Sequence, residues 1–430
     1  MRRYPLAEVR DFMAVSVPSR VLRASCIAFV LLTSACGGSG KVLTAPPLAP
    51  SPIVAGGVGE AGGQSCLLTR RHTVECWGDN GWGQLGDGTM AGHGPVYAKG
   101  LANVVALAMN GNSACALVRD GRVACWGFDT RSSYGYPEKP TTSYPVPTYV
   151  KDVAHASAVS ATGGNGCAIV TGGRVVCWGA DGSDGTMGLS RLGPFGPRNL
   201  PPRQVAGVKE AVRLSYGYDH ICALLKGGSV SCWGQNTAGE SGHGAFPGDT
   251  EDVTVPPGLV PGITTATAVS AGDGSTCALL SDHTVRCWGD DAFGELGNGG
   301  SPGPRTVHES PVAVDGIAGA TAISVGGLHA CAIVSGGHVW CWGENGNGEL
   351  GDGRSSHGHS GNPQAGDFSA VPVEVRGLAD AVAIAAGSWH TCALLRSGTV
   401  ECWGSDAYEQ LGNGRRTDSA TPVKVTGLRY

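Results

Sequence analysis

CALLRSGTVECWG runs from Cys392 to Gly404. It holds two cysteines ten positions apart, a Ser-Gly turn signal between them and a Trp-Gly end. Short apolar runs flank the turn, so the stretch reads as a hairpin with a cysteine on each strand. The pattern occurs seven times. The pairs are Cys66 and Cys76, Cys115 and Cys125, Cys167 and Cys177, Cys222 and Cys232, Cys277 and Cys287, Cys331 and Cys341, and Cys392 and Cys402, always ten apart. Each second cysteine precedes Trp-Gly, at Trp77, Trp126, Trp178, Trp233, Trp288, Trp342 and Trp403. Successive units start 49 to 61 residues apart, a period that marks a repeat architecture.

The fullest unit reads VEVRGLADAVAIAAGSWHTCALLRSGTVECWGSDAYEQLGNG. Val371 to Val375 alternates as a half-buried strand does. Ala381 to Ala386, Cys392 to Leu395 and Thr399 to Trp403 are further short apolar runs, with Gly, Ser, Asn and Asp between them. Four short strands per unit, with Gly-rich turns and no helical period, predict propeller blades. One four-stranded sheet cannot bury both faces alone, but seven packed radially can. The chain's 71 Gly and 25 Pro suit a protein built of turns, and 41% hydrophobic residues supply a core. The apolar residues recur in fixed register, which excludes low-complexity disorder.

These units resemble RCC1-type repeats, whose pattern runs G-x-x-H-[ST]-x-A-L-x-x-x-G-x-V-x-x-W-G-x-N-x-x-G-Q-L-G. The best matches are Gly387 to Gly404 and Trp77 to Gly86, WGDNGWGQLG. The resemblance covers residues 53–428 and implies an all-β, seven-bladed propeller. The second and third units depart from it, because FDTRSSYGYP and ADGSDGTMG lack the Gln-Leu-Gly ending. The eponymous relatives exchange guanine nucleotides on a nuclear GTPase. The N-terminal segment, with Arg20 and Arg23 before an apolar stretch from Ala24 to Ala35, reads as an export signal; an exported chain would not meet that partner, so the activity is not expected here. A secreted bacterial member that covers an enzyme mouth with one propeller face is the nearer analogy.

If the hairpin loop is Arg396 to Gly398, Leu395 faces Thr399 and Cys392 faces Cys402. Directly opposed residues lie about 4.5 to 5.5 Å apart, within the reach of a disulfide. A two-residue turn would instead set the cysteines diagonal. Seven disulfides, seven pairs of buried thiols and a zinc site are the readings of this spacing. Disulfides are expected in an oxidising compartment, and C-x9-C is not a common zinc spacing.

The two remaining cysteines, Cys26 and Cys36, lie in the N-terminal segment. Arg20 and Arg23 flank an apolar stretch from Ala24 to Ala35, of signal-peptide length. It ends Leu32-Thr33-Ser34-Ala35-Cys36, which resembles a bacterial lipobox with Cys36 as the lipidated residue; an ordinary secretory signal cut after Ala35 is the alternative. Glu8 and Asp11 are odd in a signal n-region, so translation is expected to begin at Met13. The expected organisation is a signal peptide over 1–35, a tether over 36–52 and the propeller over 53–430. The expected location is the bacterial envelope, on the outer membrane, with secretion as the alternative. GGSGKV is not a P-loop, because its spacing is too short.

Strand direction alternates within a blade, so the loops after the first and third strands share one face. The residue two before each first cysteine is Gln64, Ser113, Asn165, His220, Ser275, His329 or His390. With their neighbours, Tyr218, Asp219, His220, Leu328, His329, Trp389 and His390 form the candidate protein-binding face. Trp82, Phe293 and Tyr408 are further large residues at loop positions, and exposed aromatics on a rigid face are binding anchors. The seven Trp-Gly tryptophans are assigned to blade packing. His220, His329 and His390 could also hold a metal, and loops such as Asp290 to Gly297 could hold calcium. Loop hydrogen bonding by the histidines and ordinary turn formation by Asp and Gly are the preferred readings. No metal or cofactor is therefore expected. A net charge of −5 without a basic run argues against nucleic acid. The sequence thus reads as a monomeric, non-catalytic scaffold for an unidentified protein partner. Its alternatives are an enzyme or enzyme subunit acting on envelope glycans or peptides, and an inhibitor of a secreted enzyme.

Overall fold

The computed structural model describes residues 52–55, 63–128, 143–162, 165–181, 198–244, 253–303, 306–355 and 367–429. The expected signal peptide, Cys36 and nearly all of the expected tether lie outside these residues. The described chain forms seven four-stranded antiparallel sheets, each from four consecutive strands. Blade 1 comprises Ile53–Ala55, Gln64–Leu68, Val74–Gly78 and His93–Tyr97. Blade 7 comprises Ala381–Ala386, His390–Leu395, Val400–Gly404 and Ser419–Lys424. The first and last strands thus belong to different sheets, and no blade is shared between the two ends.

The phase of the repeat differs from the sequence reading in one respect. The strand around Val371–Val375 is Phe368–Glu374, and it is the outer edge of blade 6 rather than the start of blade 7. An outer strand must return to the axis before the next inner strand begins, so the repeated segment straddles two blades. All seven outer strands carry proline, from Pro95 in blade 1 to Pro422 in blade 7. Proline donates no ladder hydrogen bond, so it belongs on an edge, where it also blocks pairing with another chain.

The second and third strands pair in the predicted register. Cys392 lies opposite Cys402, and Leu395 N–H donates to the Thr399 carbonyl at 2.8 Å. Counting inward from that bonded pair puts the cysteines at a non-hydrogen-bonded position, where the strands approach most closely. The other six blades repeat the pairing. Cys66 stands opposite Cys76, Cys115 opposite Cys125 and Cys167 opposite Cys177. Cys222 stands opposite Cys232, Cys277 opposite Cys287 and Cys331 opposite Cys341. Cα–Cα is 4.0 to 4.1 Å in all seven pairs, and all seven are disulfides. That separation lies below even the roughly 4.5 Å of an ordinary non-hydrogen-bonded pair. The second cysteines Cys76, Cys125, Cys177, Cys232, Cys287, Cys341 and Cys402 are all buried, so they build the blades and offer no surface for a partner. The thiol and zinc readings fall accordingly.

The third strand slips register at each tryptophan, between the second cysteine and the following glycine. That glycine has φ near +100°, as at Gly404 with 102°. A Cβ on Gly404 would stand 2.6 Å from the Trp389 carbonyl oxygen, so only glycine fits. The slip turns every indole into the space between blades, and all seven are fully buried. Seven apolar clusters result. The one joining blade 7 to blade 1 contains Leu394, Val400 and Leu411 from one side and Leu67 and Trp77 from the other.

Candidate binding face

The loops after the third strands share one construction wherever Gln-Leu-Gly or its variant is present. An Asn or Asp side chain accepts from a backbone N–H five residues on: Asn80 from Leu85 (2.9 Å), Asn236 from Ser241 (3.0 Å), Asp291 from Leu296 (3.1 Å), Asn345 from Leu350 (3.0 Å) and Asp406 from Leu411 (3.0 Å). A Gln or Glu side chain then accepts the N–H two residues before itself, as Gln84 does from Trp82 and Gln410 from Tyr408, both at 2.8 Å. The acidic groups considered for calcium therefore hold turns. No group of three or more His, Cys, Asp or Glu among the described residues is placed to hold a metal.

The backbone carbonyl of the same Gln or Glu ties the loop to the next blade. The indole N–H of Trp126 donates to the Gln84 carbonyl (2.8 Å), Trp288 to Glu240 (2.9 Å), Trp342 to Glu295 (2.7 Å), Trp403 to Glu349 (2.7 Å) and Trp77 to Gln410 (2.9 Å). The last of these closes the ring. The following glycine lies on the same indole: a Cβ on Gly351 would meet Trp403 Nε1 at 2.9 Å. The motif is thus an inter-blade lock as well as a turn.

The three histidines act at the same joints and are not part of an exposed face. His220, His329 and His390 are 0–1% exposed. Each contacts the residue just before the first cysteine of the next blade: His220 meets Thr276 (2.7 Å), His329 meets Thr391 (2.8 Å) and His390 meets Ser65 (2.8 Å). Thr276 passes its own proton to the Glu240 carbonyl (3.0 Å), so it accepts from the His220 Nε2–H. Burial pushes the imidazoles down, to about 3 for His220, about 4 for His329 and about 3 for His390. They are neutral at pH 7, and they point to three separate joints rather than to a common metal.

What remains exposed is aromatic. Tyr218 is 52% exposed, Tyr408 57% and Trp82 39%, while Trp389, Leu328 and Asp219 are less open. Phe293 occupies the same loop position as Trp82 and Tyr408 but is only 8% exposed, so it is a plug and not an anchor. Two exposed groups stand on adjacent blades. Tyr408 of blade 7 packs over Gly63 of blade 1, where an added Cβ would be 2.9 Å from the tyrosine Cβ. Trp82 of blade 1 stands edge-on to Phe128 of blade 2, with centroids 4.9 Å apart and planes at 68°. Phe128, which sequence reasoning passed over, therefore extends an aromatic arc over blades 7, 1 and 2. Its signal was an aromatic directly after Trp-Gly, where other blades carry polar residues or alanine.

Blade 6 contains a pair of buried carboxyls. Desolvation raises Glu344 to about 7 and Glu349 to about 8, and for Glu349 the charge of Glu344 adds to it. Blade 1 solves the same place with an amide: Gln84 Nε2 donates to Asp79 Oδ2 at 2.9 Å. Folded protein therefore keeps protons that the unfolded chain releases between the ordinary value of 4.5 and about 8. Stability is highest below that window and falls as pH rises through it. Glu349→Gln is expected to gain about 2 kcal/mol relative to wild type at alkaline pH and little under mildly acidic conditions. Thermal melts on both sides of the window check this, and parallel pH curves for the two proteins would refute the raised Glu349 carboxyl.

Fold and face together define a disulfide-linked seven-bladed propeller that presents aromatic loops from one side. RCC1 repeats match its fourth to seventh blades, and the fold is an RCC1-like seven-bladed propeller. The regulator of chromosome condensation (RCC1) repeat matches residues 211–240, 266–295, 320–349 and 381–410 in one description and 336–394 in another. The chain is 30% identical over 388 residues to the human E3 ubiquitin-protein ligase HERC2, covering 86% of this chain and 7% of HERC2. It is 32% identical over 242 residues to the ultraviolet-B receptor UVR8 of Arabidopsis thaliana, covering 53% of this chain and 47% of the receptor. It therefore spans less than half the length of these curated relatives. The crystal structure of Prp20p from Saccharomyces cerevisiae superposes with a TM-score of 0.68 at 20% identity, over 84% of this chain and 87% of that one.

Proposed function

We propose that this protein is a non-catalytic protein-binding scaffold, held at a bacterial envelope by a lipid on Cys36, and that it binds through its loop face. The observation that carries the reading is the exposure of Trp82, Tyr218 and Tyr408 on one side of a rigid ring. Large aromatics fixed in place lose little entropy on binding and serve as interface anchors. The relatives agree in kind: Prp20p was described with its binding to Gsp1p and histones, and also in complex with Kap60. Those partners belong to that protein. Here the apolar segment ending at Cys36 and the seven disulfides favour an exported chain.

The test uses the purified protein as bait in envelope extract, beside Trp82→Ala/Tyr408→Ala and Tyr218→Ala/Trp389→Ala. A specific partner is expected whose affinity falls at least about 30-fold in one double variant, as loss of hot-spot residues does. The melting temperature of that variant should fall by no more than a few degrees, the cost of lost aromatic contacts such as Trp82 with Phe128. Equal capture by all three baits would discard this face. Cys36→Ser is expected to release the protein from the membrane fraction, and retention there would remove the lipid anchor from the reading.

A further inference from the structure

The inner strands enclose a central cavity of about 520 Å³. One ring of positions around it pairs with the residue two past each first cysteine. Blades 2, 3, 5, 6 and 7 place Ala106, Ala158, Ala268, Ala322 and Ala383 there. Blade 1 places Pro52, whose carbonyl accepts from Leu68, and blade 4 places Arg213. Arg213 is the one side chain charged at neutral pH among the described residues lining the cavity, and none of them is acidic. Its Nε is buried without a hydrogen-bond partner, and burial lowers its pKa with no carboxylate opposing the effect. A buried guanidinium N–H left without a partner is a cost to the fold.

Two residues further along the inner strands stand four serines. Ser160 Oγ accepts from Tyr216 N–H (2.9 Å), Ser215 from Ala271 (2.9 Å), Ser270 from Val325 (3.0 Å) and Ser324 from Ala386 (2.9 Å). Each hydroxyl accepts from the next blade's backbone and keeps its own proton to donate. The cavity therefore offers a guanidinium fork and a row of hydroxyl donors, with no opposing negative charge among the described residues.

We infer that the central cavity is a binding site for a small oxyanion, a carboxylate or phosphate group, seated on the guanidinium of Arg213. The planar fork of arginine matches both groups in bidentate fashion, and a low-dielectric wall strengthens the pair. This site is separate from the loop face, and neither depends on the other.

The experiment measures melting temperature against inorganic phosphate and against acetate, with sodium chloride at matched ionic strength. A ligand that binds only the folded state raises the melting temperature with concentration. A rise of a few degrees is expected with at least one of the two anions, with 15N signals of Arg213 Nε shifting in the same titration. Arg213→Ala should abolish both. It should also melt no lower than wild type in chloride, because five blades already hold alanine at this place. Arg213→Lys keeps the charge and loses the fork, and should weaken binding several-fold. No response to either anion in wild type, or an unchanged response in Arg213→Ala, would overturn the site. So would an alanine variant that melts lower in chloride while wild type ignores both anions, since that pattern marks a packing role for the arginine stem.

Discussion

Replacing all fourteen paired cysteines by alanine is expected to lower the melting temperature by more than about 20 °C or to prevent folding at physiological temperature. Each bridge closes a loop of about eleven residues, worth about 2 to 3 kcal/mol by the chain-entropy argument. Seven bridges on separate blades contribute nearly independently. Even half of that value each would sum to the whole stability of an ordinary domain, about 5 to 15 kcal/mol. The bridges are at most 2% exposed, so a reductant should not reach them until a blade opens. Native protein is therefore expected to resist dithiothreitol without denaturant and to lose its fold once denaturant is added. Thiol counting by mass with parallel melts checks both halves. A reduced chain melting within a few degrees of the oxidised one would show that blade packing alone sustains the ring.

The second large effect concerns two glycines with nearly the same backbone. Gly351 has φ 67° and Gly377 has φ 71°. A Cβ on Gly377 would meet nothing within 4 Å. One on Gly351 would stand 2.9 Å from both Trp403 Nε1 and Val375 Cγ1. Gly377→Ala should cost only the left-handed conformation, about 1 to 2 kcal/mol. Gly351→Ala adds overpacking, about 1 to 3 kcal/mol, and displaces the indole from the Glu349 carbonyl. Its total is expected at about 2 to 5 kcal/mol, with a change in tryptophan emission that Gly377→Ala lacks. Equal losses in the two variants would mean that the glycine of the Gln-Leu-Gly ending serves the turn alone.

The histidine joints show a regularity that was present in the sequence but not legible without the ring. His220, His329 and His390 are followed, one blade on, by Thr276, Thr391 and Ser65. The blades carrying Gln64, Ser113, Asn165 and Ser275 are followed at that place by Ala114, Gly166, Ile221 and Ala330. A histidine thus appears where the next blade supplies a hydroxyl. Read within one unit, the same histidines look like candidate surface or metal residues. Read across units, they are buried ties.

The number of blades was legible in the count of repeats, and the cysteine partners and strand register were legible because each is settled within one hairpin. Two cysteines ten apart around a three-residue loop face one another whatever surrounds them. Exposure is a different kind of property. Trp82, Phe293 and Tyr408 share one loop position and one backbone construction, yet Phe293 is buried and the other two are open. The partners of His390 and Trp77 lie 325 and 333 residues away across the ring closure. Arg213 is an ordinary strand residue until seven inner strands surround one axis. Local hydrogen bonding fixes what a blade is, while neighbouring blades decide which of its side chains meet solvent, another blade or the central cavity.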